Sequence, residues 1–321
     1  MILSSCHPIS EVAWPPKHGS ILVDRYLNVY QVIALPVPTD YVAVIPKYAP
    51  NQPPGPWRIS TVSYGRVLSE YNAASTRAAS KRVGLKLWYD PLYGAEMPLL
   101  PRHQAYYVCD PIEALWERLR SPRNLLDHIL LRVVVELERG GVDPNSLGLT
   151  GTLAIGMEAV GVSDIDLVVY GEEAVENMVK IFNRIGAPTE PGKRASSGGV
   201  RVWPPISVDW RRRIFEGVAI SWIGAPWTAG EHCKPLEEWR RIAPPRGFIR
   251  TRVKVRAGQA SALLYPPCVT TEGGAYIVAY VYNLARRLYQ GGVLEIEGII
   301  TDAGDIIVGT QENPGLLLRV A

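Results

Sequence analysis

The sequence predicts an α+β protein in three parts, a helix-and-strand centre held between two small β-rich ends. Three observations carry this reading. Residues 1–100 and 236–321 are built largely of short β-branched or aromatic runs divided by turn residues. Between them, residues 101–235 carry apolar stripes at helical spacing alternating with short strands. Clusters such as Pro244-Pro245 mark the seams. With 321 residues, 47% hydrophobic and 20% charged, the chain has ample material for two or three packed domains and is not a disordered polymer.

The first part offers strands over Ser20–Asp24, Val29–Leu35 and Tyr41–Ile45. Tyr26, Tyr30, Tyr41, Tyr48 and Trp57 make it aromatic, which suits cross-strand packing more than base stacking. Val67–Val83 is alanine-rich and free of Gly and Pro, so it predicts a helix, with Arg77, Lys81 and Arg82 as a basic face. Residues 89–109 hold Pro, Gly and Tyr clusters and predict an irregular linker.

Asp110-Pro111-Ile112-Glu113 opens the centre with an N-cap, a proline at the first helical position and an acid in the first turn. A second helix is predicted from Pro122, with Leu125, Leu126, Ile129, Leu130, Val133, Val134 and Leu137 at helical spacing, and ending at Gly140-Gly141. A short strand, Leu147–Thr150, then meets the Gly151-Thr152 turn; Leu153–Val160 predicts a short helix, and Ser163–Tyr170 a strand stopped by Gly171. Glu172–Arg184 predicts another amphipathic helix. In the last part, Pro235–Arg241 predicts a short helix and Phe248–Val255 a strand alternating basic and apolar residues. Val293–Thr301 with Ile306–Thr310 predicts a hairpin, and Leu316–Val320 a final strand.

Chemistry concentrates in Leu149–Gly171. Asp164 and Asp166 are two residues apart on a strand, so both leave the same face. Paired carboxylates repel one another unless a cation lies between them. Mg²⁺ suits such a pair, because it takes one or two carboxylates and leaves positions for water and phosphate oxygens. The glycine turn one strand away lets backbone N–H groups approach a phosphate.

Gly151-Thr152, an eleven-residue gap and Asp164-Ile165-Asp166-Leu167 together resemble the signature of the DNA polymerase beta-like nucleotidyltransferase superfamily. The similarity covers about residues 145–215, and its wording is closest to predicted nucleotidyltransferases of archaea. One departure is Thr152, where the family usually has serine; the hydroxyl is kept, the added methyl crowds the turn. The resemblance implies a nucleotidyltransferase core, a mixed sheet with flanking helices, in which Asp164, Asp166 and a third carboxylate hold two Mg²⁺ ions. It further implies that Gly151 and Thr152 hold the phosphates of an NTP. Asp209, after the apolar stretch beginning at Val200, is the best candidate for the third acid. A rival alignment puts that position on Val218–Ile223, where Ser221 could not do an acid's work.

The loop 191–199 carries Lys193 and Arg194, which could close over a triphosphate or belong to a solvated basic loop. The implied reaction moves a nucleoside monophosphate to an unidentified acceptor hydroxyl, RNA being one candidate. Two other readings stay open. One is a nucleotidyltransferase fold that binds nucleotide or RNA without turnover; the other is an interaction protein whose aspartates only solvate a strand edge. A net charge of +3 gives no bulk case for nucleic acid.

Arginines outnumber lysines twenty-six to eight and prolines number 27, a bias that heat adaptation would also produce. Cys6-His7 and His232-Cys233 are adjacent metal-donor types, more often structural than ligating, and no CxxC pair exists. Neither a leader pattern nor an apolar run of spanning length is present, so no membrane and a cytoplasmic setting are expected.

Overall fold

Short β-branched and aromatic runs at both ends of the chain and a helix-rich centre fold into an α+β molecule with three sheets. The computed structural model describes residues 5–33, 37, 39–50, 55–90, 95–189, 199–227, 233, 245–310 and 315–319. Among these, the first sheet has nine strands, the second five and the third seven.

The first sheet is antiparallel. Ile21–Asp24, Val29–Ile33 and Tyr41–Pro50 run side by side at its centre, Val62–Arg66 follows, and Ala105–Cys109 flanks the other side. Residues 95–109, expected as linker, are instead strands Ala95–Pro101 and Ala105–Cys109. Pro98 and Pro101 remove ladder donors and so mimic a breaker. Met97, Leu99, Leu100, Val108 and Cys109 are nonetheless buried, and that burial outweighs the missing bonds. The alanine-rich helix is shorter than expected, Ala73–Arg82. Asn72 caps it by accepting from the Ser75 amide, while Val67 and Leu68 are buried ahead of it.

Helix Pro111–Arg120 starts as the sequence requires, with the Asp110 carboxylate accepting from the Ile112 and Glu113 amides. Helix Leu125–Arg139 opens on Asn124, not Pro122, because the Asn124 side chain accepts from Leu126 and Asp127. Its buried residues include Leu126, Ile129, Leu130, Val133, Val134 and Leu137 of the predicted stripe, while Leu125, in the first turn, is exposed. The second sheet has the order Leu147–Thr150, Ile165–Tyr170, Val218–Ala225, Arg212–Phe215, Ala187–Pro188. Ile165–Tyr170, the aspartate strand, runs antiparallel to Leu147–Thr150 and parallel to Val218–Ala225. A parallel pair needs a crossover, and helix Glu172–Ile181 lies within that connection.

The third sheet is built on the long strand Gly292–Thr301, which pairs with Pro245–Val255, Ile306–Val308 and Leu316–Arg319. The basic residues of Pro245–Val255 are matched by acids: Arg250 and Arg252 meet Glu295, and Lys254 meets Glu272. That face carries paired charge, not a bare basic stripe. Arg201–Trp203 also joins this sheet, beside Leu316–Arg319, while Ala105–Cys109 belongs to the first sheet. The sheets therefore interleave along the chain, and one apolar cluster running through Val23, Leu130, Leu167, Trp222, Leu263 and Ile296 joins them.

The cysteines form two disulfides, Cys6–Cys109 across adjacent strands and Cys233–Cys268. This removes both cysteines from any Cys/His metal site, and His7 pairs with Glu113 instead. No helix among the described residues is long and apolar enough to cross a membrane. The expected helix at 235–241 and the loop bearing Lys193 and Arg194 lie outside the described residues.

Candidate functional site

A cavity of about 440 Å³ is lined by strands of the first and second sheets and by turn residues adjoining the third, and it holds the two aspartates. Asp166 stands on the aspartate strand, opposite Thr150 on one neighbour and Ser221 on the other. Asp164 lies just before that strand begins. The Gly151 turn is pressed against this pair. Gly151 has φ +71°, and a Cβ there would lie 2.8 Å from Asp166 Oδ2. Glycine is thus required twice over, by backbone conformation and by space. Gly151→Ala is expected to lose about 1–2 kcal/mol to the left-handed backbone alone. It should also displace the Asp166 carboxylate; thermal unfolding and Mn²⁺ titration of the variant would register both effects.

The carboxylates disturb each other. Repulsion from Asp166, with burial second, raises Asp164 to about 6, against the opposing pull of Arg212 and Lys47. Arg212 Nη2 reaches Asp164 Oδ2 at 3.0 Å, and the Ser221 hydroxyl donates to Asp166 Oδ1. Thr152 lines the cavity, but its hydroxyl is bonded to Ser163 Oγ at 3.2 Å. Ser163 in turn accepts from the Ala159 amide at 3.0 Å. The threonine hydroxyl therefore braces the segment leading to Asp164.

Asp209 does not join the pair. Pro204 and Pro205 follow strand Arg201–Trp203, which belongs to the third sheet, and Asp209 lies on a short 3₁₀ turn, Val208–Trp210. Its carboxylate accepts from Thr189 N and Oγ1, both at 3.1 Å, and from Ser207 Oγ at 2.9 Å. It is not among the cavity's lining residues. The strand parallel to the aspartate strand instead brings Ser221 beside Asp166, as the rival alignment had it. Among the described residues no third Asp, Glu, His or Cys completes a metal cluster. The donors present, two carboxylates with a hydroxyl beside them, suit one Mg²⁺ whose remaining positions go to water and phosphate oxygens.

Sequence reasoning missed the cavity's other walls. From the first sheet come Gln31, Lys47, Arg66 and Tyr71. Lys47 is only 5% exposed, and its ammonium donates to Gln31 Oε1 at 3.3 Å and to the Tyr71 hydroxyl. Burial brings Lys47 down to about 8, although both aspartates pull it upward. Gln31 continues the chain of bonds to Thr150 Oγ1 at 3.4 Å, and Thr150 Oγ1 donates to Gly19 O at 2.6 Å. The first sheet is thereby tied to the residue preceding the glycine turn. One signal was available: Lys47 is a lone lysine inside the apolar strand Tyr41–Pro50.

The second sheet adds Arg211, whose Nε donates to Asn283 Oδ1 at 2.6 Å and whose guanidinium lies 5.7 Å from the Tyr282 ring centre. Burial lowers the Arg211 pKa. The third sheet's side supplies Tyr265, Tyr280, Tyr282 and Asn283, an aromatic wall facing the charged floor. Tyr282 is fixed by accepting from the Gly224 amide and donating to Leu263 O, at 2.6 and 2.7 Å. His18, also lining the cavity, is pushed down to about 4 by burial, so its ring is neutral at pH 7. Of the three adjacent arginines only Arg211 and Arg212 line the cavity; Arg213 instead donates to the Ile185 and Gly186 carbonyls.

Comparison with known proteins finds no matching family model, no similar curated protein and no similar solved structure.

Proposed function

We propose that this cavity binds a nucleoside triphosphate beside one Mg²⁺ and transfers its nucleoside monophosphate to an acceptor hydroxyl. The observation that carries the reading is the meeting, in one cavity, of an aspartate pair, a glycine turn pressed against it, and cations from two sheets. Strand, glycine turn, short helix and aspartate strand follow one another as in a polymerase beta-like nucleotidyltransferase core, and Val218–Ala225, further along the chain, runs parallel beside the aspartate strand. Mg²⁺ held by Asp164 and Asp166 would stabilise the charge that builds on the phosphates. Lys47, Arg66, Arg211 and Arg212 supply fixed positive charge for the triphosphate, and the tyrosine wall supplies faces on which a base can stack. In the reaction the acceptor oxygen gives up its proton to water and bonds to the α-phosphorus. The bond to the bridging oxygen breaks, and pyrophosphate leaves.

A cytoplasmic setting belongs to the same proposal. Disulfides inside cells are found in heat-adapted organisms, and the arginine and proline content points the same way.

A second reading, nucleotide binding without transfer, is favoured by Ser221, which stands where a third carboxylate would be expected. The two separate when the protein is incubated with each labelled NTP, Mg²⁺ and total RNA. Transfer predicts pyrophosphate release that Asp164→Asn and Asp166→Asn each reduce at least a hundredfold. Nucleotide binding with no release for any NTP would leave the second reading standing.

A further inference from the structure

We propose that this chain works with a single divalent ion because the positive charge a second ion would bring is built into the protein as Lys47 and Arg212. The inference rests on the nucleotide reading above. It starts from the absence, among the described residues, of a third acid beside the pair: Ser221 occupies the neighbouring position on the parallel strand and donates a hydrogen bond to Asp166. A hydroxyl adds no negative charge with which to hold a second ion.

The cations then account for the rest. Arg212 is already ion-paired with Asp164 at 3.0 Å, on the carboxylate that a second ion would have to share. Lys47 comes from a different sheet and is buried in the same cavity, where both aspartates act on it electrostatically. Among the described residues its hydrogen-bond partners are neutral, Gln31 and Tyr71. An ammonium held out of water by neutral groups is costly unless something anionic arrives. The carboxylates of Asp164 and Asp166 are thus balanced, in formal charge, by Lys47 and Arg212. One Mg²⁺ enters beside these four groups, whose formal charges cancel, and its charge adds to that of Arg66 and Arg211, which line the same cavity, matched to a triphosphate. A second would enter against two unit positive charges, with Arg211 adding a third nearby.

The arrangement also assigns Lys47 a task, gripping the triphosphate from the first sheet's wall of the cavity. Gln31 positions it, because the same amide side chain bonds both Lys47 and Thr150, the residue before Gly151.

The test counts ions and measures affinity with α,β-methylene-ATP, whose α–β bridge cannot be cleaved, and Mn²⁺ as a countable substitute for Mg²⁺. Equilibrium dialysis of the full chain should give one Mn²⁺ per bound nucleotide at saturation. Lys47→Met should weaken nucleotide binding at least tenfold, leave that ratio at one, and melt no lower than wild type in the absence of ligand, which excludes misfolding as the cause. Two Mn²⁺ per bound nucleotide, or an unchanged affinity in Lys47→Met, would overturn the inference while leaving nucleotide binding intact. Failure of the wild-type protein to bind α,β-methylene-ATP at any Mn²⁺ concentration would overturn the functional reading and this inference together.

Discussion

Replacing Lys47 by methionine is expected to raise the stability of the ligand-free protein while it weakens the hold on a triphosphate. The two effects share one cause. Burial draws Lys47 down to about 8 from an ordinary value of 10.5, so keeping it charged in the fold at neutral pH costs about 3 kcal/mol. Methionine fills similar space and removes that cost, while Asp164 and Asp166 lose one of the two cations that balance them. That loss and the lost bonds to Gln31 and Tyr71 offset part of the gain, so a net gain of about 1–2 kcal/mol is expected.

The pH dependence gives the effect its sign. Between about 8 and 10.5 the unfolded chain still holds the Lys47 proton while the folded protein has released it. Stability contributed by this residue therefore rises with pH across that window. The advantage of Lys47→Met should shrink over the same range, as denaturant unfolding of both proteins at pH 7, 8.5 and 10 would reveal. Wild-type nucleotide affinity should fall above pH 8, when the ammonium becomes neutral. A variant that is less stable than wild type at pH 7 would show that Lys47 serves the fold and not a ligand.

The centre of the fold was legible because its signals are local. Caps at Asp110 and the Leu126–Leu137 stripe act within a few residues, and the glycine turn with its aspartate strand is a contiguous pattern. What escaped were pairings between distant segments. Asp209 follows an apolar stretch much as Ser221 sits in one; only sheet order decides between them, and order depends on which strand packs beside Ile165–Tyr170. The disulfides have the same character, since Cys6 and Cys109 meet only because strands 103 residues apart are neighbours. Lys47 and Tyr282 entered the cavity from segments the sequence did not connect to it. Proline misled as well: Ala95–Pro101 is a strand in spite of Pro98 and Pro101, because apolar burial around them decides the matter.

Removing Arg118 should be among the most damaging single changes, and its damage should reach the site. Arg118 is 1% exposed and Asp127 is fully buried; their closest approach is 3.1 Å. The same guanidinium grips Glu158 through two bonds, at 2.6 and 2.7 Å, and donates to Leu153 O at 2.9 Å. One side chain thus ties helix Pro111–Arg120 to helix Leu125–Arg139, to the short helix Gly151–Ile155, and to the segment between that helix and Asp164. Arg118→Met would leave Asp127 with a single remaining donor outside its own helix, the Arg123 amide, and Glu158 with Asn124. An uncompensated buried carboxylate costs about 3–5 kcal/mol. For a chain of this size that corresponds to a fall in melting temperature of roughly 5–7 °C. Arg118→Met combined with Asp127→Leu should recover part of the loss, because the orphaned charge goes with its partner. Glu158 would still be released in the double variant, so the segment carrying Ala159 and Ser163 toward Asp164 would stay loosened. Mn²⁺ affinity should therefore remain reduced even where stability returns. Full recovery of both together would mean that the Arg118 cluster holds the helices and has no part in aiming the aspartates.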